Sequence, residues 1–420
     1  MGEALDPQIL ECRFNGRLVG GRDDQIETDT AFQNARARMW SCWVGGRCQS
    51  TGIACSDAQS PPMPLVSEFD FALPEALIAQ EPRPRGESRL LVVDRAPGTL
   101  REHQFADLPA VLSPGDLIVA NDSRVFPARL IGRRDPSGGL AECMLLRRVG
   151  PAEWEALVHP GQKLKPGARL CFEDASRAPG VRLRVEVLER RFFGRRLVRL
   201  EVDSAAGSGV PEGDVDAAID RIGHVPLPPY IHRPDRPDDR DRYQTVYARA
   251  RGSVAAPTAG LHFDTTLIDA TRAAGIGWTS VTLHVGYGTF QPVRAEHVED
   301  HRVDAESFEI TPGAAEAIAA TRRARGRVVA VGTTTTRALE SAAGEDGRVR
   351  AGRGETDLFI HPGHSFRAVD ALVTNFHLPR SSLLLLVSAF AGVELTRAAY
   401  RHAVEHEFRF YSYGDAMLIL

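Results

Sequence analysis

The sequence predicts an α/β protein in which a small β-barrel or sandwich interrupts a larger α/β domain. Helix-like and strand-like segments alternate on both sides of residues 123–225, whereas this middle stretch contains only short β-runs separated by Gly, Pro and charged residues. Polar clusters follow several predicted strands, as in α/β proteins that bind ligands at one edge of a sheet. With 420 residues, 43% hydrophobic and 25% charged, the chain is long enough for two globular domains.

The domain boundaries follow from changes in composition and hydrophobic periodicity along the chain. Residues 1–66 lack sustained periodicity, apart from one possible strand at Cys12–Val19, and end in Ser-Pro-Pro-Met-Pro. We interpret them as a poorly ordered extension or as upstream sequence with Met63 as the true start; a small cysteine-bearing module is the alternative. Residues 67–122 and 226–420 are predicted to form the large domain, and residues 123–225 the inserted one.

In the first part of the large domain, Arg89–Asp94 is an apolar β-run and Phe105 opens a short helix. Residues 113–116 have the chemistry of a turn, and Leu117–Ala120 reads as a buried strand. In the inserted domain the predicted strands are Ala128–Gly132, Glu142–Arg147, Trp154–Val158, Arg169–Phe172, Arg182–Leu188 and Leu197–Val202. A proline-rich connector, residues 221–234, leads back to the large domain and is predicted to be extended.

The returning segment contains the main helix signals. Residues 265–274 keep helical periodicity up to Gly275, and Thr311-Pro312 has the pattern of an N-cap followed by proline at the first helical position. Further predicted elements are a helix at Gly313–Arg325, strands at Arg327–Val331, Glu355–Ile360 and Ala368–Thr374, and a core helix at Leu383–Phe390.

Residues 255–290 contain the strongest candidate site. A glycine-flanked histidine begins this stretch, His262, and another ends it, His284. Glycines allow a ligand to approach the backbone closely, and histidines can transfer protons near neutral pH. Two glycine turns with incidental histidines are the alternative.

Other polar clusters also follow predicted strands. They are Asn121–Arg124, Thr333–Arg337 and Asn375–Arg380. Gly332 and the threonines after it come between a strand and a helix, which is the geometry of an anion site, although a threonine-rich N-cap is an equal alternative. The histidines His284, His297 and His301 are not spaced like zinc ligands and no Cys-x-x-Cys pair occurs, so no metal site is predicted.

Composition places further bounds on function. The formal net charge of −4 argues against a uniformly basic nucleic-acid-binding protein, although a local basic face would suffice for RNA. Four of the six cysteines lie in the first 55 residues, without the arrangement of a secreted disulfide scaffold. No apolar run reaches the length of a transmembrane helix and the first residues do not resemble a signal peptide, so we expect a cytoplasmic protein without membrane contact.

Long motifs from about residue 67 to the end resemble one known family. They are Ala-Ala-Pro-Thr-Ala-Gly-Leu-His-Phe, His-Val-Gly-Tyr-Gly-Thr-Phe-Gln-Pro-Val-Arg, Val-Asp-Ala-Leu-Val-Thr-Asn-Phe-His-Leu-Pro and Phe-Tyr-Ser-Tyr-Gly-Asp-Ala-Met. The family is that of the S-adenosylmethionine:tRNA ribosyltransferase-isomerases of queuosine biosynthesis (QueA). The resemblance implies a mixed α/β (α+β), barrel-like large domain with an inserted small β-barrel domain.

The resemblance also implies the activity. The ribosyl group of S-adenosylmethionine is transferred and isomerised onto 7-aminomethyl-7-deazaguanine at the wobble position of tRNA, giving epoxyqueuosine-tRNA, adenine and methionine. The expected partners are this tRNA and S-adenosylmethionine, which is a co-substrate, with no permanently bound cofactor and a monomeric protein. A paralogue that uses S-adenosylmethionine on another substrate and a non-catalytic RNA-binding protein are the alternatives.

Roles can then be assigned to the motif residues as expectations. His262 and His284 are the acid–base candidates, because one group must remove the proton beside the sulfonium and adenine must leave. Thr333, Thr336 and Arg337 are expected to bind the methionine carboxylate or a tRNA phosphate. The remaining predicted substrate-binding residues are Asn121, Asp122 and Arg124 near the domain junction, Tyr411 and Tyr413 as base-stacking rings, and Thr258, Gly260, Gly286, Asn375 and His377. Tyr287 stands where the family often has a small or aliphatic residue, which would reshape the pocket edge.

Overall fold

The computed structural model describes residues 64–290 and 292–420. The predictions made for residues 1–63, including the strand at Cys12–Val19, lie outside this part of the chain. Val66 is buried in the core of the large sheet, and Leu65 forms a bridge with His297. The first described residues therefore already belong to the large domain.

The strands in the described residues have the following bounds. They are β1 (Arg89–Asp94), β2 (Thr99–Gln104), β3 (Leu117–Asn121), β4 (Ser123–Val125), β5 (Arg129–Asp135), β6 (Leu140–Arg148), β7 (Glu153–His159), β8 (Arg169–Glu173), β9 (Val181–Arg190), β10 (Arg195–Ser204), β11 (Ala250–Ser253), β12 (Gly277–Leu283), β13 (Glu306–Ile310), β14 (Val328–Val331), β15 (Gly352–Thr356), β16 (Ala371–Asn375) and β17 (Ala416–Ile419).

The α-helices are α1 (Leu108–Val111), α2 (Val215–Ile222), α3 (Asp239–Arg242), α4 (Thr265–Ala273), α5 (Pro312–Arg323), α6 (Thr333–Ala342), α7 (Ser382–Ala391) and α8 (Val393–Glu405). Their starts follow the capping chemistry of the sequence. The Asp264 side chain accepts a hydrogen bond from Leu267 N at 2.7 Å, and Thr311 accepts one from Ala314 N at 3.2 Å before Pro312. After α4, Gly275 takes a φ of +79°, which ends the helix at little steric cost.

Nine strands form the large sheet in the order β15-β13-β12-β3-β14-β16-β17-β1-β2. Strands β12, β3, β14 and β16 are mutually parallel. Alternate residues of β3 and β14 enter two different hydrophobic clusters, one with residues of α5–α8 and the other with residues of α1 and α4. Both faces of the sheet are thus covered by helices, which explains why its central strands are apolar throughout.

The inserted domain is a closed barrel of six strands in the order β10-β7-β6-β5-β8-β9. Its alternate residues form a separate hydrophobic cluster, to which α2 contributes Ala218, Ile219 and Ile222. The chain enters the barrel after β4 and returns at β11, and these two short strands pair in parallel. The Ser253 hydroxyl donates to Ser123 Oγ at 2.8 Å, so the exit and the return are tied together in a buried position.

The predicted mixed α/β class and the inserted β-barrel are confirmed. The large sheet is open, however, because β15 and β2 each pair on one side only, which corrects the description of this domain as barrel-like. The strand expected at Glu355–Ile360 is also wrong in its bounds, since β15 covers Gly352–Thr356. The sequence patterns gave no sign of β2, β13, β17 or α8.

Within the described residues, no single helix is long and apolar enough to cross a membrane. Only α7 and α8 taken together reach that length and composition, and the two helices meet at a bend of 116°. Leu384, Leu385 and Leu386 of α7 are buried in the core of the protein.

Candidate functional site at the carboxyl edge of the large sheet

The polar segments singled out in the sequence meet at one edge of the large sheet. Because β3, β12, β14 and β16 are parallel, the residues that follow them lie at the same edge, which we call the carboxyl edge. Strand β17 is antiparallel to β16 and parallel to β1, so the segments that precede β17 and β1 reach this edge too. The sheet topology therefore gathers loops from distant parts of the chain.

His262 lies at this edge in a short 3₁₀ helix, Thr258–His262, and its side chain is buried. Its Nδ1 is 2.9 Å from Ser88 Oγ, and its ring packs 4.9 Å from the ring of Phe105. Its Nε2 is buried and has no hydrogen bond of ordinary geometry to a described residue; its one polar neighbour is the side chain of Asn375. A buried polar atom without a partner is costly, and it marks a position where a ligand could supply the missing bond.

Burial lowers the pKa of His262 to about 4, although the side chain of Asn375 acts in the opposite direction. The imidazole is therefore neutral at physiological pH. If Nδ1 donates to Ser88 Oγ, Nε2 carries the free lone pair, so His262 is placed to accept a proton at Nε2.

Asn375 ends β16 and is buried beside His262. Its Nδ2 donates to Tyr411 O at 2.8 Å, and its side chain forms the hydrogen bond that opposes the fall in the pKa of His262. Its Oδ1 and His262 Nε2 have no other partner among the described residues, so the two side chains form one loosely bonded pair. This juxtaposition of His262 and Asn375 is the most specific chemical feature of the edge.

Around Gly260 the backbone approaches other groups very closely. A Cβ at Gly260 would lie 2.1 Å from Tyr247 Oη and 2.8 Å from Thr245 Cγ2, so only glycine fits. Tyr247 Oη and Thr245 Oγ1 are also buried without a hydrogen-bond partner among the described residues. Neither residue was a sequence candidate, and their recognition depends on packing across the chain. Thr258, at the start of the same 3₁₀ helix, is partly exposed.

A small cavity of about 20 Å³ lies beside His262. Arg85, Ser88, Arg242 and Tyr413 also line it. Arg85 donates to Leu261 O at 3.0 Å and to Gln244 O at 2.6 Å, so its guanidinium is anchored while its charge remains near the cavity. The cavity is no larger than a water molecule requires, but its arginines place positive charge next to the histidine.

Tyr411 and Tyr413 are packed in the core, not free to stack on a base. Tyr411 stacks on Tyr230 with ring centroids 4.4 Å apart, and only 4% of Tyr411 is exposed. Tyr413 contacts Tyr243 edge to face, and its hydroxyl donates to Asp239 Oδ1 at 3.2 Å. Both tyrosines lie at the carboxyl edge as expected, but their rings pack against other tyrosines in the protein and do not face an open pocket.

His377 has a similar supporting position. Its Nε2 is 2.8 Å from Thr374 Oγ1, and its backbone N–H donates to Tyr400 Oη at 2.9 Å. Burial lowers its pKa to about 3. The ring is thus neutral and already bonded, so the structure gives His377 a role in holding the loop after β16.

The first turn of α6 presents free backbone donors at the carboxyl edge. No side chain caps the helix, and the N–H groups of Thr333, Thr334 and Thr335 have no acceptor among the described residues. Gly332, with a φ of +87°, lies against the 3₁₀ helix that carries His262, since a Cβ on it would be 3.6 Å from Ala259 Cβ. Free N–H groups at a helix N-terminus attract anions.

The side chains that the sequence suggested for this anion site are already engaged. The Thr336 hydroxyl donates to Gly332 O at 3.2 Å and is fully buried. Arg337 donates to Glu306 Oε2 at 2.5 Å and to Leu358 O at 2.9 Å, and its side chain is 11% exposed. The structure therefore shifts the potential anion contacts from these side chains to the backbone of α6.

Glu306 links Arg337 to the loop after β12. Its second carboxylate oxygen, Oε1, accepts a hydrogen bond from Gly286 N at 2.7 Å. The buried ion pair thus fixes the glycine loop that follows His284. Gly286 contributes a backbone position, as expected, but its N–H is used within the protein.

Asn121 and Asp122 hold the strand ends together. Asn121 Nδ2 donates to Leu283 O at 2.9 Å and to Thr334 Oγ1 at 3.3 Å, and Asp122 accepts from Thr282 Oγ1 at 2.6 Å. Both are buried, so they connect β3 with β12 and α6. Arg124 pairs with Arg251 in the β4–β11 ladder beside the domain junction, and its exposed side chain has no bond to another described residue.

His284 occupies a different part of the edge. Its Nδ1 is buried without a partner among the described residues, and it would lie 2.7 Å from a Cβ on Gly252 of β11. Burial lowers the pKa of His284, although the carboxylates of Asp122 and Glu309 oppose this shift. Gly252 therefore makes room for the imidazole at the junction with the barrel.

The two histidines are well separated along the edge. His284 follows β12, whereas His262 neighbours Asn375 at the end of β16, and β3 and β14 lie between these strands. With about 4.8 Å between neighbouring strands, the two strand ends are roughly 14 Å apart. The two histidines therefore lie apart along the edge, with the N-terminus of α6 between them.

Tyr287 follows the glycine at 286 and packs against the hydrophobic cluster of the barrel. Burial raises its pKa, as does Glu142, whereas Arg129 opposes them. The tyrosine thus connects the loop after β12 to the inserted domain.

One group of possible metal ligands, which the sequence motifs did not include, occurs in the described residues. Glu102, His402 and His406 bring their ligand atoms within 4.8 Å of one another. Arg89 Nη2 lies 2.6 Å from Glu102 Oε2, and this adjacent cation opposes the binding of a metal ion. We therefore interpret the group as a salt-bridge cluster that links β2 to α8.

Comparison with known proteins identifies the family. A family model described as "Queuosine biosynthesis protein" matches residues 66–419. The S-adenosylmethionine:tRNA ribosyltransferase-isomerase of Solibacter usitatus is 51% identical over 374 residues, covering 84% of this chain and 99% of that protein. The protein of the same name from Halothermothrix orenii is 49% identical over 356 residues, with the same coverage.

The comparison with solved structures finds a crystal structure of S-adenosylmethionine tRNA ribosyltransferase from Thermotoga maritima. The two sequences are 35% identical, the match covers 84% of this chain and 100% of the Thermotoga chain, and the TM-score is 0.47. On the strength of the family match and the two relatives, the chain belongs to the queuosine biosynthesis protein family.

Proposed function

We propose that this protein is an S-adenosylmethionine:tRNA ribosyltransferase-isomerase that acts on tRNA carrying 7-aminomethyl-7-deazaguanine. The observation that carries the proposal is the near-complete match to relatives of that name, at about half identity over 99% of their length. The relatives' shared name also favours an enzyme over a binding-only RNA protein. S-adenosylmethionine is the ribosyl donor, and adenine and methionine are released.

The carboxyl edge is the proposed active site, and His262 is its proposed base. The reaction needs a group that removes the proton next to the sulfonium of S-adenosylmethionine. His262 is neutral because burial lowers its pKa to about 4, and its Nε2 has only a loose contact with the side chain of Asn375. In the free protein His284 is neutral at pH 7 as well, since burial lowers its pKa. Both histidines are therefore suited to accept protons, and neither carries a proton to donate to adenine before substrate binds.

The N-terminus of α6 is the proposed site for the carboxylate of the methionyl group. Its free N–H groups lie against the 3₁₀ helix of His262, so a ligand held there by its carboxylate would extend towards the imidazole. His284, on the barrel side of the edge, is proposed to face the tRNA nucleotide. The protein is further proposed to act as a cytoplasmic monomer without a permanently bound cofactor.

Labelled substrates test the proposed function directly. The protein is incubated with S-adenosylmethionine labelled in the ribose or in the methyl group, together with tRNA that carries or lacks the deazaguanine precursor. The proposal predicts release of adenine, and transfer of the ribose label only, to precursor tRNA. Transfer of the methyl label, or no adenine release with competent tRNA, would contradict it.

A further inference from the structure

The tip of the β9–β10 hairpin exposes an aromatic ring in an arginine-rich turn. Its sequence from residue 190 to 196 is Arg-Arg-Phe-Phe-Gly-Arg-Arg, and Phe192 is 88% exposed. The other large hydrophobic residues that are exposed in the described chain reach at most 50%. A single exposed phenylalanine is common by itself, so its surroundings decide whether it has a role.

The backbone of the tip is held rigidly. Arg191 N donates to Arg195 O at 2.9 Å, and Gly194 takes a φ of +79° to close the turn. The buried guanidinium of Arg196 donates to Gly194 O at 3.0 Å, to Arg195 O at 2.9 Å and to Gly161 O at 2.9 Å. These hydrogen bonds already order the turn. Binding of a partner to Phe192 would therefore cost little additional conformational entropy.

Among the arginines of the tip, one guanidinium has no bonding partner in the described residues. Arg191 Nη1 lies 2.6 Å from Glu155 Oε1, and Arg196 is satisfied by backbone carbonyls. The side chain of Arg190 is exposed and has no hydrogen bond or ion pair with a described residue, and Arg190 is paired across the strands with Arg196. Like charges directly opposite each other are unfavourable, so an anion beside Arg190 would relieve the repulsion.

The tip lies at the rim of the carboxyl edge. Arg195 forms an ion pair with Asp304, which precedes β13. Asp304 Oδ2 in turn would be 3.0 Å from a Cβ on Gly288, in the loop that follows His284. Through these contacts the hairpin of the barrel adjoins the loop after β12, next to the proposed nucleotide side of the site.

We propose that Phe192 stacks on an unpaired base of the bound tRNA, while Arg190 contacts a neighbouring phosphate. An exposed aromatic ring beside an unpaired cation matches the two recurrent contacts of single-stranded RNA, base stacking and phosphate neutralisation. This inference rests on the proposed function, since it assumes that a tRNA loop reaches the carboxyl edge. The barrel would then be a substrate-positioning module for the large domain.

The test compares kinetic constants for tRNA and for S-adenosylmethionine. Phe192→Ala is expected to raise the KM for tRNA about tenfold, equivalent to about 1.4 kcal/mol, with little change in the KM for S-adenosylmethionine. Phe192→Trp keeps a ring and should restore the wild-type KM. The matched control is Leu140→Ala, which removes a half-exposed side chain of the same barrel and should have no effect.

Direct binding of a labelled anticodon stem-loop, followed by fluorescence anisotropy, separates this inference from the proposed function. If the wild-type protein releases no adenine, the proposed function fails, but weaker stem-loop binding by Phe192→Ala would still support the role of the ring. Arg190→Gln should lower the slope of log affinity against log salt by about one. Unchanged tRNA binding by Phe192→Ala, or a wild-type dimer that Phe192→Ala dissociates, would overturn the inference.

Discussion

Replacing Arg337 by methionine distinguishes a structural arginine from one that binds the carboxylate of the substrate. The sequence favours the second role, because Arg337 follows a threonine-rich turn after a strand. In the structure, however, the guanidinium bonds to Glu306 and to the carbonyls of Leu358 and Thr356. We therefore expect Arg337→Met to lower the free energy of unfolding and to leave the KM for S-adenosylmethionine nearly unchanged.

The size of the effect follows from burial. The side chains of Arg337 and Glu306 are 11% and 6% exposed, so removal of the arginine leaves a buried carboxylate with Gly286 N as its remaining partner. Breaking a buried ion pair in this way costs about 3–5 kcal/mol. Arg353→Met is the matched control, because Arg353 pairs with Glu309 of β13, the strand that also carries Glu306, but is 83% exposed. It should cost at most about 1 kcal/mol.

Urea denaturation of the single variants, of Glu306→Gln and of the double variant measures both the loss and its coupling. We expect the double variant to be more stable than the sum of the single losses predicts, by about 1–3 kcal/mol. A loss below about 1 kcal/mol in Arg337→Met, together with a tenfold higher KM for S-adenosylmethionine, would refute the structural role and restore the one suggested by the sequence.

Two further predictions follow from the histidine side of the edge. Gly260→Ala should cost at least about 2 kcal/mol of stability and reduce turnover, because the new Cβ would lie 2.1 Å from Tyr247 Oη; wild-type values in both assays would contradict the close approach. Acid should destabilise the protein because burial lowers the pKa of His262 to about 4 and that of His377 to about 3, so the unfolded chain binds more protons below pH 6.5. Between pH 6.5 and 5 each histidine should lower the free energy of unfolding by at most about 2 kcal/mol. In urea titrations, His377→Gln should remove about half of this dependence of stability on pH. An unchanged dependence would argue against a buried, neutral His377.

Much of the fold could be predicted from local sequence patterns. The N-cap at Thr311, the proline at 312 and the glycine at 275 mark helix ends through chemistry within a few residues, and the structure confirms all three. The alternating strands of the barrel were also predictable, because each strand buries one face. The polar edge strand β2 was not predictable and β15 was predicted only with wrong bounds, since their residues are mostly exposed and carry no hydrophobic pattern.

The candidate site was predictable in its location but not in its internal bonds. Parallel strands bring the predicted loops together, so Asn121, His284 and Asn375 could be expected at one edge. Which polar group satisfies which other one depends on contacts between distant residues. His262 is bonded to Ser88, 174 positions away, and Arg337 to Glu306, 31 positions away.

Single-turnover release of adenine by His262→Gln tests the proposed active site most directly. The variant, in excess over precursor tRNA, is mixed with that tRNA and S-adenosylmethionine. His402→Gln is the control, because it removes a histidine from helix α8. With His262 as the base, we expect adenine release to fall at least about a hundredfold, while stem-loop binding and the rate of the control remain near wild type. Adenine release by His262→Gln at the wild-type rate would remove His262 from the chemistry and with it the proposed centre of the site.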